Sequence, residues 1–255
     1  MLTRLLAHPA TKGLDLDAPE TTALRREIVL SKPFLRKVYD EWYDLIVERL
    51  PSAVGGSTLE LGSGGGFLET RVPGLITSDV FPVPGVEPVS DARHLPFDDA
   101  ELGAIVMVNV LHHIPGVEQF LSEAVRCLAP GGRIVMIEPW NTSWSQYVHE
   151  RWHNELFDPD SPTWDSPESG PVSGANAALP WIVFDRDRAR LESEWPDLRL
   201  LEVVPFMAWR YLASGGVSMR SLQPGWSYRG WRRLERMLGV ERRMAVFALI
   251  VVERS

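Results

Sequence analysis

The chain of 255 residues contains a single cysteine, Cys127, and only three lysines, Lys12, Lys32 and Lys37. One cysteine excludes an intramolecular disulfide and a cysteine-based metal cluster, which suits a reducing cytoplasm. No apolar run approaches the ~18 residues that span a membrane, and the first residues lack the sustained apolar core of a signal peptide. We therefore expect a cytoplasmic protein with no membrane partner.

Positive charge is also scarce in this chain. The 34 acidic and 26 basic side chains leave a net charge of −8, whereas proteins that bind the nucleic-acid backbone usually present a basic face. We therefore expect no nucleic-acid partner. The length, together with a hydrophobic content of 45%, fits one α/β domain with elaborations better than two independent domains.

An apolar strand near residue 60 closes on a run of small residues. Residues 58–67 read TLELGSGGGF, so a strand that carries Glu60 leads into a glycine-rich turn. Gly62 and Gly64, with Ser63 between them, are expected to adopt positive φ and to let main-chain N–H groups approach a ligand that a Cβ would obstruct. Because open α/β sheets bind ligands at the carboxyl ends of their strands, this turn is a candidate binding site.

More strand-like segments follow, and each ends in residues suited to ligand binding. The segment LITSD ends in an acid about 17 residues after the first turn glycine, the placement expected for a carboxylate that binds ribose hydroxyls. A second acid follows twelve residues later. The nearly unbroken apolar run AIVMVNVL is typical of a strand covered on both faces, and it runs into a pair of histidines. The candidate contacts at these ends are Asp79, Asp91, Ala92, Asn109, His112 and His113.

This ordered series of motifs resembles the class I S-adenosylmethionine-dependent methyltransferases, specifically the type 11 group of small-molecule enzymes. The resemblance implies an α/β, Rossmann-like fold. Its seven-stranded sheet would be mostly parallel, with helices on both faces, an antiparallel last strand, N-terminal helices and inserted cap segments. It also implies S-adenosyl-L-methionine as the cofactor. The residues that match the family's cofactor contacts are Glu60, Gly62, Ser63, Gly64, Asp79, Asp91, Ala92 and Asn109.

We interpret residues 1–255 as one methyltransferase domain with several parts. Residues 1–54 would form N-terminal helices, because an apolar stripe at helical spacing precedes the first strand. Residues 55–139 would form the cofactor-binding half. The segments 140–184 and 206–244 are too long for simple turns and are expected to form caps within the C-terminal half.

Tryptophan is concentrated in the part of the chain that the cofactor motifs leave unassigned. Nine of the ten tryptophans fall between Trp140 and Trp231. Indoles fill cores and pin irregular segments, but two or three that face a cavity would form an apolar or aromatic acceptor pocket. A small-molecule acceptor is therefore the expected partner. The candidate acceptor contacts are Trp140, Trp144, His149, Asn176, Trp181 and Trp209.

Histidines are the candidate catalytic residues. His112 and His113 end the strand beside the expected methyl donor, and histidine titrates near neutral pH. They would either remove a proton from the acceptor or shape the loop that holds the cofactor. His149 and His153 share a face of a predicted helix, but a third ligand is not evident, so we expect no metal.

The expected reaction is in-line methyl transfer to a small apolar or aromatic molecule. An NAD-dependent dehydrogenase shares the glycine turn and the distal acid. However, Phe67 stands at the third position of the Gly-x-Gly-x-x-Gly pattern, and no lysine follows Lys37 to complete a Tyr-x-x-x-Lys pair. A module that only binds the cofactor, or an enzyme that uses it without methylating, shares every motif and stays open as an alternative.

Overall fold

The computed structural model of the chain describes residues 18–82, 86, 91–152, 155–165, 170 and 174–255. Strands β1 to β6 cover Ser57–Leu61, Ile76–Ser78, Leu102–Val108, Leu128–Pro139, Leu198–Phe206 and Phe247–Arg254. Helices α1 to α9 cover Pro19–Ser31, Pro33–Val47, Val117–Cys127, Ser143–Trp152, Leu179–Trp181, Arg188–Glu194, Arg210–Ser214, Tyr228–Met237 and Val240–Arg243. A π-helical stretch, Ile182–Arg186, separates α5 from α6.

The strands form one sheet in the order β2-β1-β3-β4-β6-β5. Strands β1 to β4 run parallel, and β6 runs antiparallel between β4 and β5. The structure thus confirms the α/β, Rossmann-like fold with an antiparallel last strand. The expected count of seven strands is corrected to six within the described residues. Residues 83–85 and 87–90, which precede Asp91, lie outside the described part of the chain.

The central strands are apolar in sequence and buried on both faces of the sheet. In β3, Ile105 and Met107 contribute to the core on one face of the sheet, while Val106 contributes to the core on the other. This alternation follows from the two-residue period of a strand. Because both faces are covered, β3 needs apolar side chains at every position, which explains its unbroken apolar run.

Two helices precede the sheet. Helix α2 begins at Pro33, which suits the first helical position because proline has no N–H to leave unpaired. Its apolar stripe, which includes Trp42 and Tyr43, is buried against the sheet as the sequence predicts. Helix α1 packs on α2 and reaches the glycine turn. Within the described residues, no helix is both long and apolar enough to cross a membrane.

Helices α7 to α9 fill the connection between β5 and β6, and one buried arginine joins them to α2. The Arg210 side chain is fully buried. Its Nε donates to Glu235 at 2.6 Å and its Nη2 to Glu241 at 2.8 Å, while Nη1 donates to Glu41 of α2. Three carboxylates thus converge on one guanidinium.

The division of the chain into a cofactor-binding half and caps stays a prediction.

Candidate active site

The glycine turn after β1 is bonded to the end of β2. The Ser63 amide donates to the carbonyl oxygen of Ser78 at 2.9 Å, and the Gly64 amide donates to Oδ2 of Asp79 at 3.0 Å. The Phe81 amide donates to the other oxygen, Oδ1, also at 3.0 Å. Main-chain N–H groups thus bind both oxygens of the Asp79 carboxylate, and an ionised carboxylate, with about four lone-pair sites, can accept further hydrogen bonds.

The two glycines that were predicted to have a positive φ differ in backbone conformation. Gly62 has a φ of +68°, as expected, whereas Gly64 lies outside the left-handed region, so that part of the prediction is corrected. Gly64 excludes a side chain for another reason. A Cβ there would lie 2.2 Å from Cγ2 of Thr22 on α1 and 2.7 Å from Oδ2 of Asp79. Close packing of α1 on the turn, rather than backbone conformation, therefore requires glycine at this position.

Gly64→Ala is consequently expected to destabilise the protein by about 1–3 kcal/mol, the usual cost of overpacking a tight contact. The added methyl group must displace either helix α1 or the Asp79 carboxylate. Urea unfolding would measure the loss. Gly230→Ala is the control, since a Cβ at Gly230 meets nothing within 4 Å. Equal stability of the two variants would contradict the packing argument.

Glu60 is a buried acid beneath the same turn, 3% exposed. Its Oε2 has no hydrogen-bond partner among the described residues. Burial raises the pKa of Glu60 to about 7, although a hydrogen bond from Ser63 opposes the rise. A cationic ligand would stabilise the ionised form of Glu60, because a buried charge without a partner is energetically costly. Glu60 therefore fits the ammonium group of an amino-acid ligand.

Glu60→Gln is expected to raise the stability of the ligand-free protein above pH 7. Since the folded-state pKa of about 7 exceeds the ordinary 4.5, the stability that Glu60 contributes is fully present below pH 4.5 and is lost as the pH rises through 7. We expect the variant to be more stable than the wild type by about 1–2 kcal/mol at pH 8, and the difference to vanish near pH 4.5. Thermal unfolding across this range would measure the change. A constant difference at all pH values would contradict the assignment.

Residues of α1 and α2 close the turn from the other side. The Phe67 amide donates to the Tyr43 hydroxyl oxygen at 2.9 Å, and Arg26 donates to the carbonyl oxygen of Gly66. The rings of Tyr39 and Phe67 stack with centroids 6.1 Å apart. These contacts place aromatic side chains of α2 directly beside the candidate cofactor site.

Arg25 of α1 is a charged residue of this site that the sequence motifs did not indicate. Burial raises the pKa values of Asp79, Tyr39 and Tyr211, and in all three groups the positive charge of Arg25 opposes the rise. Arg25 thus lies close to the end of β2, to α2 and to α7 together. The packing of α1 brings Arg25 to the site. The sequence of α1 contains no binding motif that would have indicated this.

Of the remaining predicted cofactor contacts, Asn109 directly follows β3, whereas Asp91 and Ala92 lie in the segment between β2 and β3. Asp91 accepts hydrogen bonds from the Arg93 side chain, which lower the pKa of its carboxyl group, and Ala92 is buried. Asn109 follows β3 with a φ of +57°, a left-handed conformation that asparagine tolerates better than most residues. Its amide donates to the Ile137 carbonyl oxygen at 2.9 Å, which holds this turn against β4.

The two predicted catalytic histidines occupy a short turn after β3. His112 is buried, and its Nδ1 lies 2.6 Å from Oε2 of Glu138, the acid near the end of β4. Because an ionised carboxylate only accepts hydrogen bonds, Nδ1 carries a proton and Nε2 points the other way. There, Nε2 lies 3.7 Å from Oε2 of Glu155. Glu138 also accepts the amides of Val110 and Leu111, at 2.7 and 2.8 Å, so it fixes the whole turn.

His113 is oriented in a similar way by the main chain. Its Nδ1 lies 3.2 Å from the carbonyl oxygen of Gly174, and a carbonyl accepts but cannot donate. Nδ1 therefore carries the proton and Nε2 keeps a lone pair. Burial, reinforced by the charge of His112, lowers the pKa of His113 to about 3. At neutral pH the His113 ring is uncharged.

The pKa of His112 shifts in the opposite direction. Burial disfavours its charged form, but Glu138 and Glu155 more than offset that effect and raise the pKa to about 9. The raised pKa favours the charged form of His112, in which both of its ring nitrogens hold protons. Neither histidine combines a free lone pair with a pKa near 7, the combination that suits a general base.

The predicted acceptor contacts are not brought together at one cavity. Trp144 lines an open groove of about 590 Å³ with Tyr147 and Trp152, and its indole N–H donates to Ala208. Trp140 is buried in the core, and Trp181 packs against that core. The groove is therefore aromatic on one side, and Trp144 is the predicted contact that lines it.

The other three predicted acceptor contacts hold parts of the fold. The Asn176 Oδ1 accepts the amides of Asp158 and Ala178, and its Nδ2 donates to the Asp158 carbonyl oxygen. These hydrogen bonds engage the side-chain amide of Asn176, which thereby orders its own loop. The ring of His149 packs on Phe157, with centroids 4.5 Å apart, and the Trp209 amide donates to Glu235.

Comparison with known proteins gives two kinds of similarity. The family model described as "Methyltransferase domain" matches residues 82–136. The ubiquinone/menaquinone biosynthesis C-methyltransferase of Bartonella tribocorum is 34% identical over 65 residues, which make up 25% of this chain and 25% of that protein. The matched part of the chain thus spans about a quarter of the length of this curated relative.

Two solved structures share the overall fold. The geranyl diphosphate C-methyltransferase of Streptomyces coelicolor A3(2), in complex with Mg²⁺, geranyl-S-thiolodiphosphate and S-adenosyl-L-homocysteine, superposes with a TM-score of 0.54 at 14% identity, covering 98% of this chain and 86% of that chain. A SAM-dependent methyltransferase of Thermotoga maritima superposes with a TM-score of 0.55 at 14% identity, covering 93% of this chain and 100% of that chain. At such identities the superpositions establish the fold alone.

Proposed function

We propose that this chain is an S-adenosylmethionine-dependent methyltransferase, which transfers a methyl group from S-adenosyl-L-methionine to a small-molecule acceptor. One observation carries the proposal. The glycine turn after β1 and the Asp79 carboxylate at the end of β2 are bonded to each other, and the unpartnered Oε2 of Glu60 lies beneath them. A carboxylate that can accept further hydrogen bonds, and a buried carboxyl oxygen without a hydrogen-bond partner among the described residues, form a complementary pair of contacts for a ligand that has ribose hydroxyls and an ammonium group.

The residues of the chain fit the cofactor as follows. Asp79 would accept hydrogen bonds from the ribose hydroxyls, Glu60 would pair with the ammonium group, and the turn from Gly62 to Gly64 would present its main chain. Asp91, Ala92 and Asn109 would line the adenine side. When bound, the cofactor supplies an electrophilic methyl group on a sulfonium, so the protein has mainly to orient the acceptor and exclude water.

We propose that the acceptor is apolar or aromatic. The groove beside Trp144 supports this class, because indole and phenol rings offer apolar faces to a ligand. The name of the Bartonella relative, a ubiquinone/menaquinone biosynthesis C-methyltransferase, also supports it. His112 and His113 would contact the acceptor from the end of β3, and their pKa values favour a positioning role over proton removal.

The net charge of −8 supports a small molecule, rather than nucleic acid, as the partner. The single cysteine, Cys127, is buried, and burial raises the pKa of its thiol to about 12. A thiol so protected suits a reducing compartment, so we also propose that the enzyme works in the cytoplasm.

Two measurements on the purified protein test the proposed function. Calorimetric titration is expected to show binding of one S-adenosyl-L-homocysteine per chain. A mass-spectrometric screen of host metabolites, with S-adenosyl-L-methionine added, is expected to reveal an acceptor that gains one methylene mass. Binding without transfer to any metabolite would favour the alternative of a cofactor-binding module or a non-methylating enzyme. The absence of binding would reject both.

A further inference from the structure

We propose that His112, His113 and Glu155 form a binding site for a divalent transition-metal ion beside the acceptor position. The sequence led to the opposite expectation, because it paired His149 with His153 and offered no third ligand. The fold instead brings a glutamate from the segment after α4 to the adjacent histidines after β3. One ligand atom from each of the three side chains lies within 4.8 Å of the other two.

The distances among the three ligand atoms are close to those that a bound metal ion requires. Ligand atoms about 2.0–2.2 Å from a metal ion stand roughly 3–3.5 Å apart when they are neighbours in its coordination shell. The Nε2 of His112 and the Oε2 of Glu155 are already 3.7 Å apart. Closing the remaining distances requires a shift of about 1 Å, which rotation of the Glu155 side chain can supply because this side chain is 26% exposed.

The strongest support comes from the groups behind the two histidines. Metal-binding histidines usually donate their second ring N–H to a carboxylate or a main-chain carbonyl, which fixes the tautomer and aims the other nitrogen at the metal. His112 has the first arrangement, with Glu138 at 2.6 Å, and His113 has the second, with the Gly174 carbonyl at 3.2 Å. Both rings therefore hold Nδ1 away from the site and turn Nε2 towards it.

The charges around the site also suit a cation. Glu138 and Glu155 contribute two carboxylates, whereas Arg25 contributes one positive charge that acts on His113. A divalent ion would bring the total to an excess of one positive charge, which an anionic acceptor could neutralise.

The donor set selects a class of ion. Two imidazole nitrogens and one carboxylate suit Zn²⁺, Fe²⁺, Mn²⁺ or Co²⁺, whereas Mg²⁺ prefers oxygen ligands and retains water. Three protein ligands leave coordination positions open, as in catalytic rather than structural sites. The role of those positions rests on the proposed function: they would hold an acceptor through a hydroxyl or keto oxygen and orient it toward the methyl donor.

Titration with Co²⁺ tests the site directly, since this ion absorbs visible light according to its ligands. Protein freed of metal with a chelator is expected to bind one Co²⁺ per chain with visible absorption bands, and Zn²⁺ is expected to displace it. Glu155→Gln and His113→Ala should each weaken Co²⁺ binding by at least about 100-fold, more than the loss of an outer-shell partner usually costs. The matched controls, Glu150→Gln and His94→Ala, alter exposed side chains and should leave binding unchanged.

The outcomes are separable from those of the proposed function. If the wild-type protein shows no saturable Co²⁺ or Zn²⁺ binding, or if Glu155→Gln binds as tightly as wild type, the metal site is refuted. Should His113→Ala fail to fold by circular dichroism, Glu155→Gln alone decides, because its side chain is partly exposed. Affinity for S-adenosyl-L-homocysteine is measured on the same samples. Cofactor binding without metal binding refutes only the metal site, and metal binding without cofactor binding refutes only the proposed function.

Discussion

Asp79→Ala is expected to weaken the binding of S-adenosyl-L-homocysteine by about 100-fold or more. Hydrogen bonds to a charged group contribute about 1.5–3 kcal/mol each, and Asp79 would accept two from the ribose. A loss of about 3 kcal/mol corresponds to roughly 100-fold in Kd. Calorimetric titration of the folded variant would measure it. The sheet should remain intact, because the main-chain bond between Ser63 and Ser78 at 2.9 Å still joins the turn to β2.

Asp98→Ala is the matched control for this variant. Asp98 is an exposed aspartate in the turn before β3, away from the carboxyl ends of the strands. Its replacement should leave the affinity unchanged, which separates the specific contact from the general effect of removing one negative charge. An Asp79→Ala affinity within threefold of wild type would remove Asp79 from the cofactor site.

Arg210→Met is expected to lower the free energy of unfolding by about 3–5 kcal/mol, the usual cost of removing one partner from a buried ion pair. Methionine preserves much of the volume but leaves Glu235, which is fully buried, without a cation. The Glu235 carboxylate would retain only the amides of Trp209 and Arg210 as donors, at 2.7 and 2.9 Å. Urea unfolding at pH 7 would measure the change.

Arg229→Met on the exposed side of α8 is the control, and its effect should stay within about 0.5 kcal/mol. The variant Arg210→Met with Glu235→Leu offers a further check. If the penalty arises from the unpaired buried charge, the second substitution should recover part of the lost stability. No recovery would mean that Arg210 acts through its remaining partners, Glu41 and Glu241, instead.

The parts of the site that could be predicted from sequence are those encoded locally. The glycine turn and the acid at the end of β2 are each recognisable within ten residues, because a strand that ends in small or acidic residues has few alternative structures. Their meeting at the sheet edge follows from the parallel pairing of β1 with β2. The same logic predicted His112 after β3, and the structure has it in the short turn Leu111–His113 that follows this strand.

The parts that could not be predicted depend on contacts between distant segments. The pairing of His112 with Glu155 joins residues 43 positions apart, with α3, β4 and α4 between them in the chain. Arg25 reaches the site only because α1 packs on the turn. The tryptophans also depend on distant contacts, since an indole that fills a core and one that lines a groove look identical in sequence. Trp140 is in the core and Trp144 in the groove, four positions away.

The position of β6 has a consequence for how the protein is made. Strand β6 is the last of the six in the chain, yet it lies inside the sheet, between β4 and β5. During synthesis, β5 lacks its neighbour in the sheet until Phe247–Arg254 has left the ribosome, and one edge of β4 stays open from the moment that Pro139 emerges until the same point. Unpaired edges of this kind promote aggregation. The nascent chain should therefore need protection by chaperones from the completion of β4 until β6 closes the sheet.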